Sequence, residues 1–525
     1  MKKALLACFL FISTLLYAEP IQGGTLVFAR NADSSLLDPG QITDAESLYV
    51  TRQLYDGLMK FKPGSTEVEP GLAKSYEVSE DGLTYTFHLR EGVYFAPTSY
   101  FKERVEMTAD DVVFSLKRQF DKSSPYHNSN ITYDYWVSMG MDNIVKDVEK
   151  VDKYTVKITL KKHEAPFLAN IAMDFAGIVC KKYADKLLEE NKLDDLARLP
   201  VGTGPFYFVS WKKDDTIILN ANKDYWGQKP YLDRVVIKVI PNASVRAAEL
   251  KIGSIHVMDR PNFSELDELS KNANIKILQD PGVNTYYVSM NQNKKEFQNP
   301  LVRQAFNHAI NKEAIVKAVY EGYARVAYSP LPPTIWGYTD DIVKYEYNPT
   351  LAKELLVKAG YPDGFSVNLL SRPTPEGKKL AEAVQADLAK IGINVNIQNY
   401  DFTTYIKIIK NLEHEMAVNS WISDNGDPDN FLYTILSKNS INKPAMNFSV
   451  WSNDEFDAIV TKAKESLNHE ERIELYKKAQ QIFAKDIPWV TIANQSNVVP
   501  VLKKVQGFDI GNIWGRRFNI VWIEK

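Results

Sequence analysis

Cysteine is nearly absent: the 525 residues contain two, Cys8 and Cys180. Cys8 lies in an apolar N-terminal stretch, so without that stretch no internal disulfide can form. A chain of this length can bury large cores without such staples. Cys180, at the end of Gly177-Ile178-Val179-Cys180, has no catalytic partner beside it and reads as a buried structural thiol. Histidine is sparse as well. His88, His127, His163, His256, His308, His414 and His469 are scattered without metal-ligand spacing. Leu412-Glu-His-Glu-Met416 begins an H-E-x-x-H pattern and lacks its second His, no G-x-S-x-G occurs, and Gly202-Thr-Gly204 is not followed by Gly-Lys-Ser/Thr. These absences remove the signatures of zinc proteases, nucleophile-elbow hydrolases and P-loop nucleotide binders, and no catalytic residue is assigned. Neither charge sign dominates, with 63 Lys and Arg against 66 Asp and Glu. That balance argues against nucleic acid as a partner. Low-complexity segments, internal repeats and long Pro/Ser linkers are missing too.

One apolar run is present, at the start. Met1-Lys2-Lys3 precedes a mostly apolar stretch from Ala4 to Leu16, followed by Tyr17-Ala18-Glu19. This is the pattern of a cleaved export signal over residues 1–18, with the cut expected after Ala18. The stretch is shorter than the roughly 20 residues a membrane span needs. An exported chain is therefore expected, with the periplasm as its compartment. Rival readings of the stretch are a buried N-terminal helix, a membrane anchor and a lipoprotein site at Cys8.

The remaining residues exceed one hydrophobic core, so two or three closely packed domains are expected. Strands are read at Thr25–Ala29, at the alternating Thr84–Leu89, through Val156, Ile158 and Leu160, from Val235 to Ile240, and from Val395 to Tyr400. Helices are read after the N-cap Thr108, with Asp111 three residues on, and from Leu301 to Ile310. Others follow Asn311, run from Leu380 to Ile391 before Gly392, and from Ile473 to Ile482. Strands mixed with helices throughout indicate α/β or α+β layers.

Longer segments carry a resemblance. Gly71 to Gly92 reads as a hairpin, with Ser79-Glu-Asp-Gly82 as its turn. This segment is similar to the signature of the peptide/nickel solute-binding family of ABC importers. Thr108-Ala-Asp-Asp-Val-Val-Phe-Ser115 resembles that family's first large helix. Val201 to Phe206 and Asp224-Tyr-Trp226 look like its returning strands. Val302 to Phe306 with Ala309 to Lys312, and Trp421 to Asn430, resemble its second lobe. Dipeptide-binding members are the most similar. The resemblance implies a two-lobed periplasmic binding protein of the large peptide-binding class, with a two-segment hinge. Lobe I would be residues 19–281 plus 495–525, with an extra subdomain over about 56–203, and lobe II would be 282–494. The crossings are expected near Gly282–Thr285 and Ala493-Asn494. A small peptide ligand, an ABC permease as partner, a monomeric state and no cofactor are implied.

A dipeptide zwitterion carries an ammonium and a carboxylate, and burying either unpaired costs several kcal/mol. Asp424 is the candidate acid: it precedes the turn Asn425-Gly-Asp-Pro428, and Trp421 offers an aromatic wall. The resemblance assigns Asp424 to the ligand's α-ammonium, and places Ser423 where backbone groups meet the ligand. Asp427 and Asp429 read as turn residues. Their spacing fails the EF-hand pattern, so no metal is assigned. Arg372, restrained by Pro373, is the candidate base, and the resemblance assigns it to the C-terminal carboxylate. Lys378 and Lys379 are the alternative cations. From lobe I, the loop Ile42-Thr43-Asp44-Ala45-Glu46 falls where the family meets peptide. Asp44 and Glu46 either read a basic side chain or cap the next helix. A nickel chelate, haem, glutathione or longer oligopeptides remain alternative cargoes on the same fold. A secreted hydrolase is the alternative of another class.

Overall fold

The structure, a computed structural model, describes residues 19–127, 130–443, 445–511 and 516–524. The leader read over residues 1–18 lies outside them. Two large sheets organise two lobes. The first has seven strands in the order Ile275–Asp280, Asn497–Leu502, Val257–Met258, Thr25–Arg30, Arg234–Val239, Thr216–Ala221, Phe206–Lys212. At its centre Thr25–Arg30 runs parallel to both Arg234–Val239 and Val257–Met258. Leu26, Phe28 and Ala29 there are fully buried. Apolar residues on both faces are what a strand covered on both sides requires.

The second large sheet has six strands in the order Ala324–Val326, Trp489–Gln495, Asn284–Met290, Met416–Ile422, Ser366–Ser371, Asn394–Asn399. Alternation along Asn284–Met290 sends Val288 and Met290 into one apolar core and Tyr287 into another on the opposite face. A separate four-stranded sheet, Ala73–Val78, Thr84–Leu89, Thr155–Leu160 and Val145–Asp152, has its own core with Phe87, Trp136 and Phe167. Its first hairpin turns at Gly82, whose φ of 67° is the left-handed region glycine reaches without strain. Thr108 and Asp111 form a reciprocal capping box at the start of helix Ala109–Lys117. At the far end of that helix, Arg118 makes two 2.6 Å bonds to the buried Asp38 carboxylate.

Two segments read as returning strands are not strands. Residues 201–205 form a loop, Asp224–Trp226 a turn, and the strands themselves are Phe206–Lys212 and Thr216–Ala221. Close backbone packing is the cause at the first of them. A Cβ on Gly202 would lie 2.0 Å from the Leu54 carbonyl oxygen, and the Gly204 N–H donates to that same oxygen at 2.9 Å.

The chain leaves the seven-stranded sheet after Asp280 and enters the six-stranded one at Asn284; it returns between Gln495 and Asn497. These crossings are laced together. The Asn284 side chain donates to the Gln495 carbonyl and accepts from the Gln495 N–H, both at 2.8 Å. Asn494 donates to the Asn284 carbonyl at 2.8 Å. Gly282 passes so close that a Cβ would sit 2.1 Å from the Gln495 oxygen.

Candidate functional site

Each lobe turns the C-terminal ends of parallel strands toward the other, the position at which open α/β sheets bind ligands. In lobe II, Ser366–Ser371 and Met416–Ile422 are parallel neighbours, with Leu370 opposite Ala417. Arg372 follows the first strand directly, and Ser423-Asp424 follow the second. In lobe I, Thr25–Arg30 and Val257–Met258 are parallel neighbours, with Ala29 opposite Met258. They lead into the loop bearing Thr43, Asp44 and Glu46 and into Asp259-Arg260.

Asp424 lies where the lobes meet. Its carboxylate accepts a 3.2 Å bond from the hydroxyl of Tyr135, which belongs to the helix Asp134–Ser138 packed on the core of the four-stranded sheet. Its backbone N–H donates to Asn430 Oδ1 at 3.0 Å, and the Trp421 indole N–H donates to the same oxygen at 2.9 Å. Asn430 thus fixes the acid relative to the half-buried aromatic wall. Burial pushes the Asp424 carboxyl up to about 6, against the hydrogen bond from Tyr135. Among the described residues, no lysine or arginine forms an ion pair with it.

Ser423 is fully buried. Its N–H donates to the Val283 carbonyl at 2.9 Å and its hydroxyl accepts from Gly426 N–H at 2.8 Å, so it ties the Asp424 turn to the first crossing segment. The other two acids of the turn are held by bases. Asp427 takes two bonds of 2.7 and 2.8 Å from Arg472, and Asp429 lies 3.4 Å from Lys464. Arg372 is half-buried, and its guanidinium acts electrostatically on the phenols of Tyr286 and Tyr405, opposing the rise that burial imposes on both. The next helix, Pro375–Ala389, is capped by Thr374, and Lys378 and Lys379 fall in its first turns.

In lobe I, Thr43 is exposed. Asp44 serves as the N-cap of helix Ala45–Leu54, accepting from Ser47 N–H at 2.8 Å and from the Ser35 hydroxyl at 2.6 Å. Of the two roles open to it, capping is the one displayed. Glu46 is buried, with Arg260 Nη2 3.0 Å from its Oε1.

Further contacts join the lobes beside Asp424. Asn425 donates to Asn170 Oδ1 at 2.9 Å. Gly426 abuts Thr66, so closely that a Cβ on the glycine would lie 2.4 Å from the Thr66 Cβ. Lys464 pairs with the buried Glu164 at 3.1 Å, and its carbonyl accepts from Ala165 N–H at 2.8 Å. Burial raises Glu164 to about 7 although Lys464 opposes the shift. Sequence reasoning missed Tyr135, Glu164, Lys464 and Arg260. Each lies far along the chain from its partner, and nothing in the local pattern marks them.

A two-lobed α/β fold with an enclosed acid between facing strand ends defines a clamp-type binding protein. Comparison with known proteins gives its family. Residues 67–443 match the model of the bacterial extracellular solute-binding proteins, family 5. Heme-binding protein A of Haemophilus influenzae is 43% identical over 498 residues, covering 94% of this chain and 91% of the relative. The dipeptide-binding protein of Escherichia coli is 40% identical over 534 residues, covering 100% and 99%. The ABC transporter-associated periplasmic binding protein DppA from Helicobacter pylori, solved in complex with the peptide STSA, superposes with a TM-score of 0.86. It is 48% identical, with 96% of this chain and 99% of that one covered. The chain belongs to family 5 of the bacterial extracellular solute-binding proteins, as its hairpin signature implied.

Proposed function

We propose that the chain is the substrate-binding component of an ABC importer that captures short peptides, dipeptides foremost, and delivers them to a membrane permease. The observation that carries this reading is Asp424: a carboxylate enclosed between two lobes, raised to about 6, with no basic side chain of the described protein paired to it. A buried anion of this kind is complementary to an ammonium, and a peptide N-terminus supplies one.

Strand register supports a short ligand. By the pairing of Leu370 with Ala417, Arg372 stands level with Asn419, five positions before Asp424. At about 3.3 Å per residue this puts the two backbones on the order of 16 Å apart along the strands. Two extended residues span about 7 Å, and a charge-assisted contact at each end adds about 3 Å. A peptide of two or three residues held by Asp424 and Arg372 fits that span; a long peptide held at both ends does not. Haem offers carboxylates and no ammonium, and so leaves Asp424 unmatched, although one relative bears that name.

In this reading Trp421 and Ser423 complete the lobe II subsite, and the Thr43-Asp44 loop contributes the lobe I wall. The lobes are about residues 19–281 plus 495–525 and residues 282–494, joined by the two crossing segments near 281–283 and 495–496. The protein is exported with removal of residues 1–18, acts as a monomer, binds no nucleic acid and returns its ligand unaltered. Incubation of residues 19–525 with an alanyl dipeptide is expected to give one-to-one binding and intact dipeptide on recovery. Cleavage of the dipeptide, or no binding, would overturn the reading. Mass spectrometry of ligand carried through purification identifies the natural cargo.

A further inference from the structure

We propose that Arg260 is a second carboxylate-reading cation, supplied by lobe I, which grips the carboxylate end of the ligand from across the cleft. The inference rests on the peptide reading above and names a specificity determinant within it.

The placement comes from register in both lobes. Arg260 follows the C-terminal end of Val257–Met258, beside the end of Thr25–Arg30, on the edge of lobe I that faces lobe II. The same short loop touches lobe II: Phe263 stacks on Tyr323 with centroids 5.5 Å apart and planes 13° apart. In lobe II, Tyr286 pairs with Ser420, one residue from the level of Arg372. Arg260, Arg372 and Glu376 all act on the Tyr286 phenol, so both guanidiniums lie within electrostatic reach of one side chain.

The conformation of Arg260 is imposed. Its φ is 46°, a region costly for a residue with a Cβ. Buried Arg246 holds it there, donating to the Asp259 carbonyl at 3.2 Å and the Arg260 carbonyl at 2.8 Å. Strain maintained by a buried guanidinium aims the Arg260 side chain. Charge layering then decides what the wall presents. Behind Arg260 sit Glu46, with a side chain 9% exposed, and Asp259, at 0%, whereas Arg260 itself is 51% exposed. Arg260 Nη2 is 3.0 Å from Glu46 Oε1 and its Nε is 3.6 Å from Asp259 Oδ2. The anions are covered and the cation is in front. Arg260 is the exposed charge of this wall and Arg372 stands across from it, so a carboxylate placed between them gains a charge-assisted contact from each as the lobes close. The carboxylate can be the peptide's own C-terminus or the side chain of an acidic last residue.

The test is calorimetry with Ala-Ala, Ala-Asn, Ala-Asp and Ala-Ala amide on the wild type and on the double variant Glu46→Gln/Arg260→Gln. The double change removes both partners, so no buried acid is left unpaired. Carboxylate ligands are expected to bind the variant about tenfold or more weaker, the amide equally to both proteins. An equal loss for Ala-Ala, Ala-Asn and Ala-Asp assigns Arg260 to the terminal carboxylate; a loss confined to Ala-Asp assigns it to the side chain. Unchanged affinity for every ligand, or an equal loss for the amide, overturns the inference and leaves the peptide reading standing. Failure of the wild type to bind any of the four overturns both.

Discussion

The Asp424 carboxylate is half-buried and accepts a bond from Tyr135, and burial raises it to about 6. The sign of the consequence follows from linkage. A carboxyl whose folded value lies above its ordinary 3.8 adds stability at low pH, and that contribution is lost as pH rises through about 6. Ionised Asp424 therefore costs the folded protein about 1–3 kcal/mol near neutrality, after allowance for its partial exposure. Asp424→Asn is predicted to raise the Tm of the ligand-free protein at neutral pH while weakening peptide binding. A lower Tm would contradict this. Because a bound ammonium favours the ionised form, affinity is predicted to be full above about pH 6 and to fall up to about tenfold per unit below it, read by calorimetry across that range.

At the scale of elements, the turn after Met416–Ile422 is where the lobes come together. Gly426 has a φ of 72° and almost touches Thr66, so Gly426→Ala is penalised twice, by its backbone and by the opposing lobe. We predict a loss of peptide affinity of about tenfold or more, partly recovered when Thr66→Gly is added. No recovery would mean that the backbone cost alone is responsible. Elements of this kind differ in how far the sequence announces them. The capping box at Thr108 and Asp111 and the Gly82 turn are local chemistry, legible within four residues, and both form as expected. So do the strands Thr25–Arg30 and Thr84–Leu89 and the Asn311-capped helix Lys312–Tyr320. Asp427 could be read as a turn residue, but its partner Arg472 could not, because that pairing is set by how a distant helix packs. Tyr135 stands 289 residues from Asp424 and meets it only because two lobes dock. The Val201 to Phe206 segment misled because close glycine packing on Leu54 excludes a strand that its pattern allows.

At the scale of the whole molecule, two crossing segments among the described residues join the two large sheets, and Asn284 and Asn494 bind those segments to each other. Ser423 links the Asp424 turn to Val283 at the first crossing, so the acid and the hinge share one hydrogen-bonded path. The remaining contacts at the mouth, Lys464 with Glu164 and Asn425 with Asn170, form between lobes rather than within one. In the proposed reading, a ligand that pairs Asp424 favours the arrangement in which these contacts exist, so binding and closure would be coupled. The account stands on Asp424 as the anchor of a peptide ammonium. Its most direct test is a calorimetric titration of an alanyl dipeptide into residues 19–525, with and without Asp424→Ala. The account predicts one-to-one binding by the wild type and a loss of about 3–5 kcal/mol in the variant, the usual effect of removing one partner of a buried charge pair. Equal affinities would contradict it.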